Sequence, residues 1–111
     1  MEKDLLKTIK TLKKSAELVY NTKDFTSATI LYFKTAFAVL DLIILKAAGN
    51  TPKDHSERFK ILKKFFPEFY EFLDKYFDVY RDTYSLTIDK QTCDKIKENV
   101  EEIIKKRSIQ I

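Results

Sequence analysis

The chain has 111 residues, enough for one hydrophobic core, and its one glycine and two prolines are too few for the turns of an all-β fold. Hydrophobic residues at 44% and charged residues at 34% exclude a disordered tail, and the lone Cys93 excludes an intrachain disulfide or a Cys/His zinc site. A net charge of +4 permits nucleic-acid binding without requiring it. Residues 1–111 are read as a single all-α domain, an up-and-down bundle of about five helices.

A first helix is predicted from about Asp4 to Tyr20, where Leu5, Ile9, Leu12, Ala16 and Val19 recur at spacings of three and four. Asp24 or Thr26 then caps a second helix, about Phe25 to Ala48, that is apolar on nearly every face and ends at Gly49. A helix without a polar face has to be surrounded, so part of it is expected to meet a second copy of the chain in a homodimer. Its longest apolar stretch, Ala36 to Leu45, is broken by Asp41 and falls short of a membrane span. The amino terminus carries no signal-peptide pattern, and a cytoplasmic protein with no membrane contact is expected.

The third helix is predicted to open at Thr51 and Pro52 and to reach Phe66. Pro67 opens a fourth, on which Phe66, Phe69, Tyr70, Leu73, Phe77, Tyr80 and Tyr84 form an aromatic seam, more often core than a platform for bases. The third helix is basic (Lys53, Arg58, Lys60, Lys63 and Lys64) and the fourth acidic (Glu68, Glu71, Asp74, Asp78 and Asp82), read as two solvated faces in weak attraction. Ser85 to Ile88 is a loop, after which Thr87 or Asp89 caps a fifth helix to about Arg107.

Catalytic signals are sparse. His55 is the only histidine, and its neighbour Ser56 points about 100° away on a helix, which excludes a Ser/His pair. The carboxylates lie mostly on polar faces, His55 has no second histidine as partner, and no glycine-rich phosphate loop is present, so neither metal nor cofactor is expected. Asp41 is the unusual residue. An unpaired carboxylate in so apolar a segment costs several kcal/mol, so it needs a partner, with Arg81 one choice, or else it forms the floor of a cleft.

Three segments together resemble a HEPN domain: Ala28-Thr29-Ile30-Leu31-Tyr32-Phe33-Lys34-Thr35-Ala36-Phe37, Lys53-Asp54-His55-Ser56, and Tyr80-Arg81-Asp82-Thr83-Tyr84. The similarity runs from about Lys13 to Arg107. It implies a small helical bundle, usually dimeric, of the kind found in toxin and antitoxin pairs, RNA processing and nucleotide binding, with a minimal nucleotidyltransferase as a frequent partner. Catalytic members carry Arg followed by His after four to six residues. Here the positions that follow Arg81 at those spacings are Leu86, Thr87 and Ile88, and the sequence is similar instead to a branch with Tyr after the arginine, here Tyr84. The resemblance therefore implies a non-catalytic protein that binds RNA or nucleotide, with Arg81, Tyr84, His55 and Asp41 as the binding candidates. The alternatives are a metal-independent ribonuclease toxin using Arg81, Tyr84 and His55, and a purely structural interaction module.

Overall fold

A computed structural model describes all residues from 1 to 111 and contains five helices and no strand. They are α1 (Glu2–Asn21), α2 (Phe25–Ala48), α3 (His55–Phe65), α4 (Pro67–Asp82) and α5 (Lys90–Lys106). Caps fix most of the boundaries. Asp24 accepts the amide of Ser27 at the start of α2, and Asp89 accepts that of Thr92 at the start of α5. Gly49 closes α2 with φ of 85°, a conformation that costs other residues a clash at Cβ. Thr26 has a different task from capping: its hydroxyl accepts the amide of Ile88 and ties the last loop to the start of α2.

The third helix begins later than predicted. Its cap is Asp54, not Thr51: the Asp54 carboxylate accepts the Glu57 amide, and Glu57 in turn accepts the Lys53 amide. This reciprocal pair satisfies two amide donors at the helix start, which Thr51 would leave bare.

Helix α2 is the axis of the fold. Its 24 residues extend about 36 Å, close to the 38 Å longest dimension of the molecule. The helix is long and apolar enough to cross a membrane, but 72% of its most apolar stretch is buried inside the chain, as in a core helix. Ile9 and Ala16 of α1, Phe69, Phe72 and Leu73 of α4, and Ile96, Val100 and Ile103 of α5 join it in one core. Along α2, the only exposed positions are Lys34, Lys46, Ala47 and Ala48. Helices of the same chain cover most of α2, while Ile30, Leu31 and Leu45 remain only partly buried.

The long helices α1, α2, α4 and α5 alternate in direction. Phe33 meets Tyr80 near the end of α4, while Leu42, Ile43 and Lys46 approach Arg107 and Ile109 beyond the end of α5. The short α3 departs from the alternation. His55 packs on Phe37, Arg58 pairs with Asp41, and Ile61 and Phe65 lie beside Ile44 and Ala48, so α3 follows the second half of α2 in the same sense. The loop from Gly49 to Asp54 makes this possible by doubling back along the helix it leaves. No ion pair joins the basic α3 to the acidic α4; the two meet through rings, Phe59 on Tyr70 and Phe77, with Lys63 over the Tyr70 ring at 5.7 Å.

A candidate ligand-binding corner

By doubling back, the chain sets the first turn of α3 between the middle of α2 and the last turns of α4. Arg58 occupies the centre. Its Nε donates to Asp41 Oδ1 at 2.8 Å and its Nη2 to Asp41 Oδ2 at 3.1 Å, a bidentate pair with the arginine side chain 9% exposed. Its Nη1 donates to His55 Nδ1 at 2.6 Å, and the guanidinium lies 5.0 Å from the centre of the Phe37 ring.

This geometry decides the state of His55. A guanidinium only donates, so Nδ1 must accept, and the ring is neutral with its proton on Nε2. Burial, followed by the charge of Arg58, pushes the His55 pKa below its ordinary 6.5; Lys34 acts in the same direction, and Asp41 and Asp54 oppose it. Nε2 bonds to nothing in the chain, and the only buried side-chain polar atom without a partner is the Tyr32 hydroxyl, so Nε2 is open to solvent.

Aromatic rings wall the corner. His55 lies edge-on to Phe77 at 5.3 Å and to Tyr80 at 6.0 Å between ring centres. The Tyr80 and Tyr84 hydroxyls are 3.1 Å apart. Sharing that hydrogen bond, together with burial, raises the Tyr80 pKa above the usual phenol value. Tyr84 itself is 79% exposed, so the seam predicted along α4 is core at Phe69 and Leu73 and surface at its end.

Of the four candidates from sequence, Asp41 and His55 both meet Arg58, and Tyr84 is linked to His55 only through Tyr80. The fourth, Arg81, lies outside. Its guanidinium donates to Asp78 at 2.9 Å on the open face of α4, with the two side chains 68% and 82% exposed. Pairing of Asp41 with Arg81 is therefore corrected to pairing with Arg58, which reaches α2 from α3 where Arg81 is occupied by its own helix. Sequence did carry a signal for Arg58: His55, Arg58 and the buried Leu62 share one face of α3 at spacings of three and four, so this cation points inward. Treating Lys53 to Lys64 as one solvated run concealed it.

No group of histidine, cysteine or acidic side chains capable of holding a metal is present. No family model, curated protein or solved structure matches the chain.

Proposed function

We propose that this chain is a HEPN-type binding protein that does not cleave RNA, and that it takes a phosphate-bearing ligand, RNA or nucleotide, at the corner formed by His55, Tyr80 and Tyr84. The observation that carries this reading is the hydrogen bond from Arg58 to His55 Nδ1. Cleavage at a 2′-hydroxyl needs a group that takes up its proton. His55 could accept at Nε2 only by moving its own proton to Nδ1, where it would face the guanidinium. Tyr80, with its raised pKa, is a still weaker base. A neutral imidazole offering Nε2–H, two phenol hydroxyls and the nearby charge of Lys34 suit an anionic acceptor instead.

Under this reading the protein works as a homodimer alongside a minimal nucleotidyltransferase, as the HEPN resemblance implies. Light scattering at micromolar concentration tests the dimer, since a mass of 13.1 kDa is that of one chain. The functional test is polarization of labelled single-stranded RNA and of labelled nucleotide, together with a gel assay for cleavage without metal. Expected results are weak, salt-sensitive binding that falls when His55→Ala is introduced, and intact RNA. Robust metal-independent cleavage abolished by His55→Ala would replace this reading with the ribonuclease toxin.

A further inference from the structure

A second surface lies at the opposite end of α3 from His55. Between the last turn of α2 and the end of α3 is a recess of about 300 Å³ lined only by Ile44, Ala47, Ala48, Ile61, Phe65 and Phe66. Phe65 is 62% exposed, and Ala47 and Ala48 are exposed and small, so another backbone can approach closely. The rim is cationic. Lys64 lies 5.2 Å from the Phe65 ring centre and Arg107 5.5 Å from that of Phe66. Lys60 stands one turn before Lys64 on the exposed surface of α3, and none of these three cations has a carboxylate within ion-pair distance.

We propose that this recess docks an acidic amphipathic helix of another protein, with large apolar side chains seated against Phe65 and Ile61 and flanking carboxylates facing Lys60, Lys64 and Arg107. Charge complementarity selects this occupant. A second copy packed two-fold on the same recess would set Lys60, Lys64 and Arg107 against their own counterparts, a juxtaposition of like charges. The acidic surface of another copy's α4 offers carboxylates without an anchor, because Phe69, Phe72 and Leu73 are buried in its own core. A lipid surface would also supply negative charge, but a recess with room for a pair of side chains suits a helix face better than a layer of headgroups.

The test is an amide NMR titration of the whole chain with three probes: a synthetic helix bearing leucine and phenylalanine anchors flanked by glutamates, the same helix flanked by lysines, and phosphatidylglycerol vesicles. The glutamate helix is expected to shift Ala47, Ala48, Ile61, Phe65 and Phe66 saturably. Phe65→Ala and the pair Lys60→Glu with Lys64→Glu should each weaken it about tenfold, and the charge-reversed pair should gain affinity for the lysine helix. Thermal melts would show that these exposed substitutions leave the fold intact. No shifts at the recess, equal binding of both helices, or binding of vesicles alone would overturn the proposal.

Discussion

Two arginine–carboxylate pairs of nearly equal length sit in the molecule, Arg58 to Asp41 at 2.8 Å and Arg81 to Asp78 at 2.9 Å. Bond length does not separate them; surroundings do. The first joins two helices, is bidentate and is largely withdrawn from water, with side chains 9% and 18% exposed. The second joins neighbouring turns of one helix and stands in solvent. A buried charge that loses its partner cannot recover its hydration, whereas an exposed one recovers it at once. The comparison teaches that Arg58 carries structure and sets the chemistry of His55, while Arg81 can be replaced at little cost in stability.

The largest expected effect breaks the buried pair from one side. Asp41→Ala strands Arg58 and should cost about 3 kcal/mol, read from denaturant unfolding. Replacing both partners by apolar residues, Asp41→Leu with Arg58→Met, should recover most of that loss, since no charge is then left buried. If the single substitution left the unfolding midpoint unchanged, the pair would have to be solvated.

A smaller effect concerns pH. The folded pKa of His55 lies below the unfolded 6.5, so the unfolded chain binds the proton more readily. The associated stability is complete above 6.5 and is lost as pH falls from there through the folded pKa. Melting temperature should therefore drop between pH 7.5 and pH 5, and drop less in His55→Asn, whose side-chain oxygen can still accept from Arg58. Equal pH dependence in the two proteins would mean that His55 titrates alike folded and unfolded.

Smallest of all are changes to the exposed pair and to one orphaned hydroxyl. Arg81→Ala should shift stability by less than about 0.5 kcal/mol. Tyr32→Phe should leave stability unchanged or raise it, because the fully buried Tyr32 hydroxyl has no hydrogen-bond partner to lose. A loss above about 1 kcal/mol in the tyrosine variant would reveal a partner held by that hydroxyl.

Helix number and most helix ends were legible in the sequence because local chemistry sets them: the caps Asp24 and Asp89, Gly49 after α2, and Pro67 at the start of α4. The need of Asp41 for a partner was legible for the same kind of reason, an acid in an apolar helix. Which arginine answered it was not, because that depends on the direction of α3, which is set by a loop that doubles back on α2 and leaves no periodic trace. The coverage of α2 was hidden likewise. Periodicity shows that a helix lacks a polar face, but not whether its own chain can enclose it.

Arg58 keeps His55 a donor at Nε2, and the ring nitrogens report on it directly. Nitrogen-15 NMR of the free protein at neutral pH should show His55 Nδ1 as the bare, pyridine-type nitrogen and Nε2 as the protonated, pyrrole-type one, with a titration midpoint below 6.5. In Arg58→Met, where Asp41 remains beside the ring without its partner, the midpoint should rise above that of the native chain. A proton on Nδ1 at neutral pH, or a midpoint that does not move when Arg58 is replaced, would contradict the account.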